Sequence, residues 1–113
     1  MNEPQSVQTD SKKDAQDNKL FAIVAYIPIL FLIPLLAAKE SPFARYHANQ
    51  GALVTIIWAA GYLITSIVPG LLNILLGPIF GLLMLAIFII GVLNVSKGEM
   101  KPLPIIGETK LIK

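Results

Sequence analysis

The longest uncharged stretch of the chain decides its fold. Residues 46–96 read YHANQGALVTIIWAAGYLITSIVPGLLNILLGPIFGLLMLAIFIIGVLNVS and contain no Asp, Glu, Lys or Arg. A second stretch, Leu20–Ala38, is also free of charged residues. An apolar run of about 18 residues or more is typical of a membrane-spanning helix. Because the longer stretch has room for two spans, the sequence predicts an all-α integral membrane protein.

Composition supports this assignment and excludes several classes of function. The chain of 113 residues is 55% hydrophobic and 14% charged, whereas soluble domains carry about 25% charged residues. Its net charge of +2 comes mostly from lysines scattered in the two tails, a pattern too weak and diffuse to predict nucleic-acid binding. The chain has no cysteine, and therefore no thiol nucleophile and no cysteine metal site. The partner that composition predicts is the lipid bilayer.

Polar residues divide the chain into a tail and one membrane domain. Residues 1–19 carry charges of both signs and few large apolar side chains, so we expect a polar tail that is disordered or loosely helical. Residues 20–113 form the membrane domain, which ends in a short basic C-terminal tail. We expect this domain to be a helical bundle with spans at about 20–38, 51–68 and 73–95.

Prolines and a glycine mark the limits of these three spans. Pro28 and Pro34 each remove a backbone donor and predict a kink in the first span, although its length favours a full crossing over a re-entrant segment. Ser41-Pro42 is a typical helix start, with the serine as N-cap and the proline in the first helical turn. Pro69-Gly70 predicts the turn between the second and third spans.

A motif between the first two spans carries a family resemblance. Residues 39–51 read KESPFARYHANQG, which resembles the S-P-F-x-[RK]-[FY]-H-x-x-Q-[AG] box of the small bacterial membrane proteins called Tic20-like (DUF4870). Lys97-Gly98-Glu99, followed by PLPIIG at 102–107, resembles the closing segment of that family. The signature residues carried over are Ser41, Pro42, Phe43, Arg45, His47 and Gln50.

The resemblance implies a membrane role rather than a known active site. Plant members of that family resemble multi-spanning components of the chloroplast inner-envelope import machinery, and they have four spans where three are expected here. The resemblance therefore implies an accessory subunit in protein translocation or envelope assembly. The signature residues would set the helix start and the angle at which the second span enters the bilayer.

Small and polar residues within the spans are candidates for contacts between helices. One face of the second span is predicted to point into the bundle, because its polar groups recur at spacings of three and four: His47, Gln50, Val54, Trp58, Gly61 and Thr65. The pair Gly77 and Gly81 marks either a close contact within the chain, which we favour, or a dimer face. The helix-packing candidates are Gly61, Gly77 and Gly81.

No residue pattern predicts catalysis, a metal site or a cofactor. His47 is the only histidine, and a metal site needs further ligands of that kind. The predicted spans contain no Asp, Glu, Lys or Arg, and no nucleophile–base pair is evident. We therefore expect a protein that is not an enzyme and holds neither metal nor cofactor.

The distribution of Lys and Arg predicts an orientation. With three spans, the N-terminal tail carries three basic residues and the opposite side carries six. The larger number favours the cytoplasm, so we expect a multi-pass protein of the cell membrane. Its C-terminal tail and the loop between the first two spans would be cytoplasmic.

Three functions remain open for such a protein. The first is the accessory membrane subunit, with membrane-protein partners or self-association, and the kinked first span and the specific motif favour it. The second is a self-assembling, holin-like pore former, which the small size and charged C-terminal tail would suit. The third is a small solute channel, which is weakest because the spans carry no charged residue.

Overall fold

The computed structural model describes residues 12–109 and 111. In that part the chain is helical, without strands, which confirms the predicted all-α class. Helix α1 covers residues 12–17. The helices that follow are α2 (Lys19–Val24), α3 (Leu32–Ala37), α4 (Pro42–Ile67) and α5 (Gly70–Ser96).

Helices α4 and α5 form a long antiparallel pair. The Ser41 hydroxyl oxygen accepts from the Ala44 N–H at 3.0 Å, which caps α4 as the Ser-Pro pair predicts. Helix α4 ends at Ile67, and the next residue, Val68, is extended because the proline that follows it disfavours helical geometry. At about 1.5 Å per residue each helix is about 40 Å long, enough to cross a hydrocarbon core of about 30 Å. By length and composition, both helices qualify as membrane spans.

The span predicted at 20–38 is not confirmed, because this segment consists of two short helices. Helix α2 ends at Val24 and α3 begins at Leu32. Between them the chain reverses its direction around Ile29, which has a φ of 75°. Pro28 lacks the N–H that would continue a helical ladder through this point. Among the described residues there are therefore two candidate spans rather than three, and we call residues 19–37 the short hairpin.

The short hairpin begins and ends at the same end of the α4–α5 pair. The Asp14 carboxylate, before α2, accepts from the Phe43 N–H at 3.0 Å and from the Ser41 hydroxyl. The Lys19 ammonium donates to the Ser96 carbonyl at 3.2 Å. We call the end where α4 begins and α5 finishes the charged end, and the opposite end the turn end.

The polar tail was expected to be disordered or loosely helical, and its residues 12–17 are helical. Ala15 in α1 is 5% exposed and belongs to the buried core. The Asn18 amide donates to the Asp14 carboxylate at 2.9 Å, which orients that carboxylate toward α4. Composition does not reveal this link, because it depends on one carboxylate meeting a helix start 27 residues away. Residues 1–11 lie outside the described part of the chain.

The buried core lies almost entirely at the charged end. All ten buried residues of α4 lie between Phe43 and Val54, whereas α5 buries Gly91 and Val95. Toward the turn end, most apolar side chains of both helices are exposed. A helix that is apolar around its whole circumference, without protein to cover it, is suited to lipid.

Two glycines allow the short hairpin to pack closely on the long helices. A Cβ atom at Gly51 would overlap the backbone carbonyl of Ala25 and approach Phe31. A Cβ atom at Gly91 would overlap the ring of Tyr26. Because close-packed interiors leave no space for additional atoms, both contacts require glycine.

We expect Gly51→Ala to lower the free energy of unfolding by about 1–3 kcal/mol, because the added methyl group meets backbone that cannot rotate away. Thermal unfolding of the purified protein in detergent measures this loss. The matched control is Gly77→Ala, another position inside a long helix, where a Cβ atom meets open space. Equal melting temperatures for the two variants would contradict the packing of the short hairpin on α4.

Candidate functional site: a buried polar junction

The signature motif places buried polar side chains at the start of α4. Ser41, His47, Asn49 and Gln50 are each at most 7% exposed. Burying a polar group costs free energy unless the group finds a hydrogen-bond partner. Each of these four side chains has a partner elsewhere in the chain, and we call the four and their partners the polar junction.

His47 joins α4 to the short hairpin and to the segment after α5. Its Nδ1 lies 2.6 Å from the Tyr26 hydroxyl, and its Nε2 lies 2.9 Å from the Glu99 carbonyl oxygen. Because a carbonyl only accepts, Nε2 carries the proton and donates, so Nδ1 accepts from Tyr26 in the neutral ring. The rings of Tyr26, Phe43 and Tyr46 approach the imidazole edge-on, with centroids 4.7–5.5 Å away. His47 is therefore paired at both nitrogens and enclosed by aromatic rings.

Gln50 holds the segment after α5 against α4. Its amide nitrogen donates to the Gly107 carbonyl at 2.7 Å, and its amide oxygen accepts from the Leu103 N–H at 2.8 Å. A Cβ atom at Gly107 would crowd the Gln50 amide oxygen and overlap the Leu103 backbone. The close approach of this segment to α4 therefore requires a glycine at position 107.

Asn49 repeats this arrangement on the residue before, and sequence reasoning missed it. Its amide donates to the Thr109 carbonyl at 3.0 Å and accepts from the Leu111 N–H at 2.6 Å. Its place inside the motif could have suggested this role. However, an amide side chain near a membrane surface can equally well hydrogen-bond to water, so the motif alone does not predict a partner in the protein. Tyr26 was missed too, because its role depends on the short hairpin.

The other signature residues shape the start of α4. Pro42 occupies its first turn and is exposed. Phe43 is 2% exposed and lies edge-on to His47. Arg45 is half-buried on the outside of the same turns. The structure therefore brings Phe43, His47 and Gln50 together in the junction and leaves Pro42 and Arg45 at its surface.

The chemistry of the junction is that of a structural link. Each of the four buried polar side chains at the start of α4 is engaged by groups of the protein itself. Glu99, whose carbonyl bonds His47, has one buried carboxylate oxygen without a hydrogen-bond partner among the described residues. Within residues 12–109 and position 111, no group of three or more His, Cys, Asp or Glu side chains is placed to hold a metal ion.

The three helix-packing candidates differ in their surroundings. Gly61 faces the ring of Phe80 across the α4–α5 contact. A Cβ atom at Gly77 or Gly81 would meet nothing within 4 Å, so the contact within the chain that we favoured for this pair is not formed. Gly77 lies on the side of α5 that faces α4, between Asn73, which bonds the Thr65 carbonyl, and Phe80, but an open groove separates the two helices at this point. Gly81 is exposed. The glycines that do pack closely on the short hairpin are Gly51, which ends the signature motif at a position where the motif also allows alanine, and Gly91, which belongs to no motif.

Comparison with known proteins supplies the family. The family model for magnetosome magnetite crystal formation proteins, MamF_MmsF, matches residues 17–110. The chain belongs to this family. The match includes the short hairpin, both long helices and most of the polar junction. A curated relative, magnetosome protein MamF of Magnetospirillum gryphiswaldense, is 32% identical over 89 residues, which cover 78% of each chain. No solved structure matches the chain.

Membership of the MamF_MmsF family corrects the Tic20-like (DUF4870) resemblance, which was wrong. That resemblance rested on a six-residue signature and a short closing segment. Both lie wholly inside the residues that the MamF_MmsF family matches. A motif of this size describes how one helix begins and what it packs against, whereas the family match covers the two long helices as well.

We expect Gln50→Leu to release the segment after α5, because the Leu103 N–H and the Gly107 carbonyl each lose a partner at a cost of about 1–3 kcal/mol. Limited digestion with the Glu-specific protease Glu-C in detergent, followed by mass spectrometry, measures cleavage after Glu99 and Glu108. The control is Asn73→Leu, which removes an amide that bonds the Thr65 carbonyl at the turn end. Cleavage at the same rate in both variants would show that Gln50 does not hold this segment.

Proposed function

We propose that this chain is a non-catalytic, multi-pass protein of the magnetosome membrane that takes part in magnetite crystal formation. The family description supplies the compartment and the process, and the relative from Magnetospirillum gryphiswaldense is named as a magnetosome protein. Two apolar helices long enough to cross a bilayer support insertion into that membrane. The paired polar groups of the junction support a structural role.

The charge distribution supports one orientation. With two spans, α1, the loop before α4 and the segment after α5 all belong to the charged end. This end carries every Lys and Arg of the described residues: Lys12, Lys13, Lys19, Lys39, Arg45, Lys97 and Lys101. Because basic residues beside spans favour the cytoplasm, we place the charged end there. The turn end then faces the interior of the compartment.

The turn end offers no charged side chain to a mineral. From Tyr46 to Ser96 the sequence contains no Asp, Glu, Lys or Arg, and carboxylates are the side chains that best bind hard cations. We therefore propose that the chain influences crystal formation through the membrane and its components, rather than by acidic side chains on the crystal.

The family gives no support to the translocation, pore or channel roles. The translocation role came from the Tic20-like resemblance. The pore and channel roles came from size and composition alone. Partners other than lipid, and self-association, stay predictions. The exposed surface of α5 at Gly81 leaves space for either.

Single cysteines test the orientation, because the chain has none of its own. In bacteria that carry the chain in the cell membrane, we expect Leu71→Cys to react with an impermeant maleimide in intact cells. Lys13→Cys and Glu40→Cys should react only after permeabilisation, because both positions belong to the charged end. A three-span chain would place positions 13 and 40 on opposite sides, and that labelling pattern would contradict the proposed topology.

Expression in Magnetospirillum gryphiswaldense lacking MamF tests the cellular role. We expect the chain to be recovered with isolated magnetosomes and to change the dimensions of the magnetite crystals, measured by electron microscopy against an empty vector. The control is Gln50→Leu, which keeps both apolar helices but loses part of the junction, and it should have a smaller effect. A chain that spreads through the cell membrane and leaves the crystals unchanged would overturn the proposal.

A further inference from the structure

The short hairpin extends only part of the way along α4. Its tip is held where the Ile29 N–H donates to the Thr55 hydroxyl oxygen at 2.8 Å. That hydroxyl donates in turn to the Gly51 carbonyl at 2.9 Å. The tip of the hairpin therefore has a defined height along α4, with its backbone donor satisfied.

Helix geometry converts this contact into a depth in the bilayer. A hydrocarbon core of about 30 Å corresponds to about 20 residues of an α-helix. Counted back from Ile67 at the turn end, the core begins near Ala48, just after Arg45. Thr55 then lies about 11 Å below the surface of the core, short of the midplane at about 15 Å. The short hairpin is therefore confined to the leaflet at the charged end.

The protein consequently has a different cross-sectional area in each of the two leaflets. In the leaflet at the charged end, α2 and α3 pack beside α4 and α5. Beyond Thr55, only α4 and α5 continue. Since each helix has a diameter of about 10 Å, the chain displaces roughly twice as much area in one leaflet as in the other.

The outer surface of the short hairpin is suited to acyl chains. Leu20 and Leu36 on its two arms are 74% and 73% exposed, and Ile29 at its tip is 50% exposed. No charged residue lies between Lys19 and Lys39. An exposed apolar surface of this kind is unfavourable in water, whereas in the leaflet its neighbours are lipid tails.

We propose that the chain is a wedge that prefers bilayers convex on the charged side. Helical segments that insert into one leaflet bind membranes in a curvature-sensitive way. They fit best in the leaflet on the convex side, where the lipid headgroups are spread apart. A small closed compartment with the charged end outward has this curvature, and its smaller inner leaflet receives the narrow turn end. The inference rests on the proposed two-span topology and gives the chain a partner, which is a strongly curved lipid bilayer.

Membrane tubes pulled outward from giant vesicles test the sign of this preference. The full chain, with a fluorophore on Glu40→Cys, is reconstituted into phosphatidylcholine and phosphatidylglycerol. An impermeant quencher outside the vesicle separates molecules with the charged end outside from those with it inside. We expect a tube-to-vesicle density ratio above one for the outward molecules and below one for the inward ones. Equal ratios for the two orientations would overturn the wedge.

The depth of position 29 distinguishes a failure of the wedge from a failure of the topology. A nitroxide on Ile29→Cys should be shielded from water-soluble relaxation agents on both sides and lie within the leaflet at the charged end. A label that reaches water at the turn end would mean that residues 19–37 cross the membrane, which overturns both proposals. A label at the expected depth, together with equal density ratios, would overturn the wedge alone.

Discussion

The amide of Gln50 exchanges two hydrogen bonds with the backbone of the segment after α5, at a position from which water is excluded. That segment has no regular secondary structure, so only some of its backbone groups satisfy each other, such as the Gly107 N–H and the Leu103 carbonyl at 3.0 Å, and the others need different partners. Side chains of α4 provide these partners. Gln50 bonds the backbone of Leu103 and Gly107, and His47 bonds the Glu99 carbonyl. Leaving such groups unpaired in a buried site costs more than their pairing gains. The start of α4 therefore determines where the rest of the charged end can lie.

In the proposed two-span topology the short hairpin meets the same constraint, because water inside the bilayer cannot satisfy the backbone of a broken helix. Its turn is held by short-range backbone bonds, from the Ile27 N–H to the Val24 carbonyl at 3.1 Å and from the Leu30 N–H to the Ile27 carbonyl at 3.0 Å. The Ile29 N–H donates to the Thr55 hydroxyl oxygen. A segment interrupted by Pro28 is thus acceptable in lipid, because each of these donors has an internal partner.

Local features of the fold were predictable from sequence, and long-range ones were not. The start of α4 at Ser41-Pro42 and the turn at Pro69-Gly70 follow from the conformational limits of those residues, which act within a few positions. The composition of residues 20–38 is equally compatible with one span or two short helices. What decides between them is a hydroxyl at Thr55 and a carboxylate at Asp14, both distant in sequence. A short motif likewise carries only local information. The signature motif therefore indicated the helix start correctly but the family wrongly.

Tyr26 connects the polar junction to the packing of the short hairpin, which determines how wide the protein is at the charged end. Its hydroxyl donates to Nδ1 of His47 on α4, while its ring lies against Gly91 on α5. Tyr26 belongs to the short hairpin, so this side chain sets how closely the hairpin approaches both long helices. His47 therefore has a structural role in this arrangement. It fixes the position of the hairpin, and with it the area that the chain occupies in one leaflet.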